Sequence, residues 1–174
     1  MLNELLQWSV HLSKGIKPAF KFIPLGTIVN QLIDFYFLDI TKKKLFVHNK
    51  ITDDISVFAP PEYLKAILRN LFTNAIKYSK ENGVIYFDAI VSHENVEVLV
   101  GDTGIGIPEH LKPLIFTVAP EIKRIGTFEE PSAGFGLIIT KDYIEQIGGS
   151  IRFSSKQNAG TTFIVSLPLV KEEE

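Results

Sequence analysis

Cysteine is absent from the 174-residue sequence, which excludes a disulfide-stabilised scaffold and any cysteine-based metal or redox centre. A large excess of charge of one sign is also absent, because 18 Lys and Arg residues balance 20 Asp and Glu residues. A nucleic-acid ligand would require a basic surface, so we expect none. Lys, Asp or Pro interrupts every apolar run within about ten residues, whereas a bilayer span needs roughly 20. We therefore expect no membrane-spanning segment.

Core-forming side chains are abundant: 45% of the residues are hydrophobic, and 13 are Phe. This supply is sufficient for one domain with a conventional hydrophobic core. The N-terminus carries an early acid, Glu4, and neither a basic region nor a small-residue cleavage site. It therefore does not resemble a signal peptide, and we expect a cytoplasmic location for the domain.

Hydrophobic periodicity predicts an α+β fold. Apolar residues at helical intervals predict helices over residues 24–41, 60–79 and 136–147, and a brief one over 109–116. Residues 21–23 favour a short strand. Runs rich in Val, Ile and Phe predict three hairpins, which pair residues 45–47 with 55–58, 83–92 with 96–101, and 150–155 with 161–167. The hairpins and helices together predict an antiparallel sheet with helices covering one face.

Three polar residues share one face of the helix predicted over residues 60–79. Asn70, Asn74 and Lys77 follow each other at spacings of four and three residues, which brings them into line on a helix. Amide oxygens suit Mg²⁺, which prefers oxygen ligands and shares its coordination with substrate phosphates, and an ammonium suits the phosphates themselves. A solvent-facing polar stripe on an amphipathic helix is the alternative.

A glycine-containing segment follows the strand predicted over residues 96–101. It reads Asp102-Thr103-Gly104-Ile105-Gly106-Ile107-Pro108. A carboxylate at a strand end can accept a hydrogen bond from an exocyclic amine, and glycines allow the backbone to approach a flat ligand. An ordinary turn is the alternative.

Two further segments are weaker signals when taken singly. Gly134-Phe135-Gly136-Leu137 opens the last predicted helix, where free N–H groups and the helix dipole favour phosphate. Thr161 follows Gly160 in the last predicted hairpin, where a plain turn is the alternative. Between Asp102 and Gly134, frequent Gly and Pro residues indicate a long, weakly structured stretch of the kind that is usually functional or mobile.

In this order, the four features resemble the ATP-binding catalytic domain of two-component sensor histidine kinases. That family belongs to a superfamily with gyrase, the ninety-kilodalton heat-shock chaperone and the mismatch-repair ATPases. The sequences N-L-F-T-N-A-I-K at residues 70–77 and D-T-G-I-G-I at 102–107 carry the resemblance. It implies a two-layer α/β sandwich of the Bergerat type, with a mixed, mainly antiparallel sheet and about three helices on one face.

The resemblance also implies a role for each matching residue. Asn74 would ligate Mg²⁺ with Asn70 beside it, and Lys77 would approach the phosphates of ATP. Asp102 would read the adenine amino group, supported by Thr161 through water. The resemblance places Gly104, Gly106 and Ile107 beside the base, and Gly134, Phe135, Gly136 and Leu137 beside the phosphates. Residues 108–133 would form the ATP lid, in which Lys123 and Arg124 are candidates for a phosphate contact. Asn70, Lys77, Lys123 and Arg124 are thus the predicted catalytic residues.

The predicted reaction is transfer of the γ-phosphoryl group of ATP to a His that this chain lacks. Hydrolysing relatives carry a Glu at the position of Asn70 as general base, and an amide cannot take that proton. His93-Glu94 is placed in a hairpin turn and is interpreted as surface. Residues 1–18 resemble the end of a dimerization and phosphoacceptor helix, which leaves residues 19–174 as the ATP-binding domain.

The resemblance implies three partners: the chain's own dimerization domain, a response regulator and a second copy in the full-length protein. Attachment to a membrane would occur only through segments of the parent protein that are not present here.

The family usually has Gly where this chain has Ser132, which Pro131 precedes. This departure leaves an alternative open, namely a degenerate or nucleotide-sensing module that acts as a scaffold or an anti-sigma-type serine kinase.

Overall fold

The computed structural model of the protein describes residues 18–118, 126–127 and 134–169. All but the last residue of the predicted dimerization stub (residues 1–18) lies outside these ranges. Lys123, Arg124, Pro131 and Ser132 also lie outside the described residues.

In the described part of the chain, seven strands form two sheets. They are β1 (Lys21–Pro24), β2 (Phe46–Asn49), β3 (Ser56–Ala59), β4 (Val84–Val91), β5 (Asn95–Asp102), β6 (Ser150–Lys156) and β7 (Gly160–Pro168). The main sheet has the order β2-β4-β5-β7-β6, in which β2 runs parallel to β4 and the other neighbours are antiparallel. β1 and β3 pair separately. The mixed, mainly antiparallel sheet and two of the three predicted hairpins are confirmed.

The hairpin predicted between residues 45–47 and 55–58 is wrong. β2 pairs in parallel with β4, while β3 pairs with β1. The segment between them does form a turn at Asp53, whose Oδ1 accepts hydrogen bonds from the backbone N and the hydroxyl of Thr27, at 2.5 and 2.9 Å. Thr27 lies in the first turn of the helix Leu25–Phe35. A turn-like sequence therefore caps a distant helix instead of joining the two strands that flank it.

The described residues form four α-helices, namely α1 (Leu25–Phe35), α2 (Phe37–Lys42), α3 (Pro61–Tyr78) and α4 (Gly136–Gln146). The single helix predicted over residues 24–41 is divided at Tyr36, whose ψ of 15° is not helical. The short helix predicted over 109–116 is a 3₁₀ helix, Glu109–Leu114, with Pro113 inside it. Proline lacks the N–H that a continuing α-helix requires. No helix among the described residues has the length and hydropathy of a membrane span.

The core lies between α3 and one face of the main sheet. Burial alternates along β5 and β7, as expected for strands with one covered face. The ring of Phe72 on α3 meets that of Phe87 on β4 at 5.1 Å, and neither side chain is exposed. This packing brings the second half of α3 beside the end of β5, where Asp102 stands.

Candidate functional site

A pocket opens between α3, α4 and the adjoining ends of β5 and β7. The residues that line it are Asn74, Tyr78, Asp102, Gly106, Ile107, Ile115, Gly134, Gly136, Leu137, Thr161 and Phe163. The structure thus brings together predicted residues from all four motifs, which are far apart in the sequence. Three more predicted residues adjoin the lining: Asn70 and Gly104 through hydrogen bonds, and Phe135 as the neighbour of Gly134 and Gly136.

Asp102 is the buried carboxyl group of the pocket. It is 8% exposed, and its Oδ1 accepts a hydrogen bond from the Gly104 backbone N at 2.8 Å. Burial raises the pKa of Asp102 to about 6, and hydrogen bonds from the backbone of Gly104 and Thr161 oppose that rise. Near neutral pH the group is therefore a carboxylate with little water around it, which is suited to accept a hydrogen bond from a ligand.

The two glycines after Asp102 are required by close backbone contacts. A Cβ on Gly104 would lie 2.1 Å from the carbonyl oxygen of Tyr78, at the end of α3. A Cβ on Gly106 would lie 2.1 Å from the Lys156 carbonyl oxygen, and its φ of +63° also favours glycine. The segment is consequently held between α3 and the β6–β7 hairpin, and its backbone forms part of the pocket wall.

Asn70 joins α3 to the first turns of α4. Its Nδ2 donates to the Gly136 carbonyl oxygen at 3.2 Å and to Thr140 Oγ1 at 3.3 Å. These contacts use both hydrogens of the amide, so only its oxygen is left for a ligand. Asn74, one turn further along α3, lines the pocket itself.

The donor set of the pocket fits a Mg²⁺ ion that is carried by phosphates. Asn74 and Asn70 supply amide oxygens, which are suitable ligands for this ion. The described residues contain no cluster of three or more His, Asp and Glu side chains that could hold a metal. A bound Mg²⁺ would therefore take its remaining ligands from the nucleotide and from water.

Lys77 stands apart from the first pocket. It lines a separate hollow beside α2, and its ammonium lies 5.4 Å from the ring centroid of Tyr78. Its predicted phosphate contact stays a prediction, as do the contacts assigned to Lys123 and Arg124. At the start of α4, Gly134 has a φ of +79° and open space around it.

Sequence reasoning missed several residues of the site. Tyr78 follows Asn74 by four residues, so helical periodicity could have placed both on one face. Phe163 follows Thr161 by two residues and shares its side of β7. Ser155 faces Thr161 across the β6–β7 hairpin, and that register could have been read from the predicted turn. Ile115 follows the 3₁₀ helix, and no local pattern singles it out.

Comparisons with known proteins agree with this architecture. The family described as histidine kinase-, DNA gyrase B- and HSP90-like ATPase matches residues 59–171. Sensor histidine kinase WalK of Bacillus subtilis is 29% identical over 176 residues, covering 100% of this chain and 29% of its own length. Sensor histidine kinase ZraS of Escherichia coli is 30% identical over 169 residues, covering 97% of this chain and 35% of its own.

A solved structure, the catalytic domain of histidine kinase ThkA, superimposes with a TM-score of 0.72 at 29% identity. The match covers 86% of this chain and 95% of that one. The chain spans only about a third of the length of the curated relatives, whereas it corresponds to nearly all of the isolated catalytic domain. It belongs to the histidine kinase-, DNA gyrase B- and HSP90-like ATPase family, as an ATP-binding catalytic domain of the sensor histidine kinase type.

Proposed function

We propose that this chain binds ATP together with Mg²⁺ and transfers the γ-phosphoryl group to a histidine on a dimerization domain of its parent protein. The observation that carries the proposal is that an amide, Asn70, stands at this position of the site. The side chain is 9% exposed, and both of its amide hydrogens are donated to α4. An amide cannot remove a proton from water, so this position does not support hydrolysis. A neutral imidazole already offers a lone pair and needs no such base.

In this proposal each part of the pocket binds one part of the nucleotide. Asp102 accepts a hydrogen bond from the adenine amino group, and the backbone around Gly106 borders the base. Asn74 would hold Mg²⁺ with Asn70 beside it, and the ion would neutralise charge on the phosphates. Gly134, Gly136 and Leu137, at the N-terminal end of α4, border the phosphates. Lys77, Lys123 and Arg124 are the proposed cationic contacts.

The transfer step needs little covalent chemistry from the chain. A ring nitrogen of the acceptor histidine forms a bond to the γ-phosphorus, and the bond from that phosphorus to the bridging oxygen breaks. ADP leaves with the electron pair, and the imidazole releases its proton. The chain's role is to position the phosphate chain and to neutralise the charge that moves onto ADP.

We further propose that residues 19–174 are the ATP-binding domain and that residues 1–18 end a dimerization helix. The parent protein would act as a homodimer in the cytoplasm, pass the phosphoryl group to a response regulator, and reach a membrane only through other segments. His93 is exposed in the turn between β4 and β5, and it is not the proposed acceptor.

Two measurements test the proposal. Calorimetric titration with ATP and Mg²⁺ should detect binding, and Asn74→Ala should weaken it, whereas Glu62→Gln, at an exposed position on the same helix, should not. Incubated alone with labelled ATP, the chain should neither label itself nor hydrolyse the nucleotide appreciably. Adding the parent's dimerization domain separately should produce label on that domain, slowly because no tether raises the acceptor's effective concentration.

Two outcomes would contradict the proposal. If the chain does not bind ATP at millimolar concentration, the proposed kinase activity is excluded and a scaffold role is favoured. Labelling of His93, or rapid hydrolysis that Asn70→Ala abolishes, would show that the acceptor or the reaction has been assigned wrongly.

A further inference from the structure

A serine hydroxyl on β6 connects three parts of the pocket wall. Ser155 Oγ accepts a hydrogen bond from the Ile107 backbone N at 2.8 Å. It donates to the Gly160 carbonyl oxygen at 3.1 Å and lies 2.9 Å from Thr161 Oγ1. Ser155 itself does not line the pocket, but Ile107 and Thr161 do. The hydroxyl therefore contacts the ligand-facing residues from behind.

The hydrogen count at Ser155 fixes the direction of its bond to Thr161. A hydroxyl has one hydrogen to donate and two lone pairs with which to accept. Because Ser155 gives its hydrogen to the Gly160 carbonyl, the hydrogen between the two hydroxyls comes from Thr161. The hydroxyl of Thr161 is then left with lone pairs only, and toward a ligand it acts as an acceptor.

Thr161 and Asp102 are neighbours at the same end of the pocket. They are paired in the register of β5 and β7, and they are 7% and 8% exposed. With the Thr161 hydrogen committed to Ser155, a ligand meets two acceptors side by side, a carboxylate and a hydroxyl oxygen. An exocyclic amino group has two hydrogens and can satisfy both, directly or through a water. A carbonyl oxygen at the same place would face acceptors only.

We propose that Ser155 is a positioning residue that makes the pocket select 6-amino purines over 6-oxo purines. It acts by holding the Thr161 hydroxyl as an acceptor beside Asp102. The proposal rests on the nucleotide binding described under the proposed function, and it adds a source of base selectivity outside the residues that touch the ligand.

ADP and IDP make a matched test, because they differ at the purine 6 position, amino in one and oxo in the other. Calorimetry on the unmodified chain should show a clear preference for ADP. Ser155→Ala should reduce the ratio of the two affinities about tenfold, and Ser155→Thr, which keeps a hydroxyl, should largely restore it. Ser154→Ala is the control, since Ser154 is the exposed neighbour on the opposite face of β6.

A second comparison distinguishes selectivity from simple loosening of the hairpin. In a Thr161→Val background the hydroxyl that Ser155 orients is gone, so Ser155→Ala should cause no further change in the ADP to IDP ratio. The proposal is overturned if Ser155→Ala weakens both nucleotides by the same factor, or fails to fold, since the hydroxyl would then be structural only. If the unmodified chain binds neither nucleotide, the proposed function itself fails. Binding of both with equal affinity would overturn the selectivity alone.

Discussion

Replacement of Asp102 by Asn distinguishes two effects of the buried carboxylate. One is its destabilisation of the folded chain, and the other is its contribution to nucleotide affinity. Asp102 is 8% exposed, and burial raises its pKa from an ordinary 3.8 to about 6. A rise of about two pKa units corresponds to about 3 kcal/mol, at about 1.36 kcal/mol for each unit. This is the free energy of unfolding that the nucleotide-free chain loses when the group ionises inside the folded protein.

The sign follows from the order of the two pKa values. Below pH 3.8 the carboxyl of Asp102 is protonated in the folded and the unfolded chain, so it carries no penalty. As pH rises through about 6 it ionises in the folded chain as well, and the penalty becomes complete. Asn is nearly the same size and stays neutral. The variant should therefore gain about 3 kcal/mol relative to the unmodified chain between about pH 4 and pH 8.

Urea unfolding of both chains across this pH range measures the difference directly. Glu62→Gln, which makes the same chemical change at an exposed position on α3, is the matched control. Nucleotide affinity should change in the opposite sense, because the variant replaces a pure acceptor with a group that also donates. The affinity advantage of the unmodified chain should be large near pH 8 and small near pH 5, where Asp102 is protonated. A stability difference that stays constant with pH, or that reverses in sign, would refute the reasoning.

Three further changes test the packing around the pocket through the free energy of unfolding, measured in urea. Gly104→Ala should cost about 3 kcal/mol because its Cβ would meet the Tyr78 carbonyl, whereas Gly134→Ala, with open space, should cost about 1. Lys43→Met should cost about 2 kcal/mol, because the buried ammonium donates to Thr127 and to two carbonyls at the end of α3. Phe72→Ala should cost about 3–5 kcal/mol through the cavity it leaves. Equal costs for the two glycines, or none for Lys43, would contradict these contacts.

The sequence was sufficient for the elements that carry the pocket because each has a strong local signal. Asn70 and Asn74 are separated by one helical turn, and a helix of 18 residues keeps that spacing regular. Asp102 ends a strand of eight residues with alternating burial, so its place at the sheet edge follows from the strand pattern. Local periodicity is therefore sufficient to predict the elements that form both walls of the pocket.

Strand partners and the surroundings of Lys43 depend on contacts between residues far apart in the sequence, and local patterns did not predict them. Two strands of only four residues each show this, namely Phe46–Asn49 and Ser56–Ala59. Their hydrophobic pattern is too short to specify a pairing partner, and in the structure they belong to different sheets. Lys43 was not predicted either. Its side chain is 2% exposed because acceptors from α3 and from Thr127 converge on it, and these lie more than 30 residues away in sequence. Nothing near Lys43 in the chain indicates that environment.

The two ends of the pocket rest on different parts of the fold. At one end, where the proposed function puts the base, Asp102 and Thr161 are paired in neighbouring strands of one sheet, so backbone hydrogen bonds fix their separation. At the other end, where the proposed function puts the phosphates, the first turns of α4 meet α3 through the Asn70 side chain, which donates to the Gly136 carbonyl and to Thr140 Oγ1. Side-chain contacts can rearrange by rotation about side-chain torsions, whereas a backbone ladder cannot, so we expect any adjustment to different phosphate chains at the Asn70 contact and not in the sheet. Recognition of the base can then stay constant while the phosphate end changes.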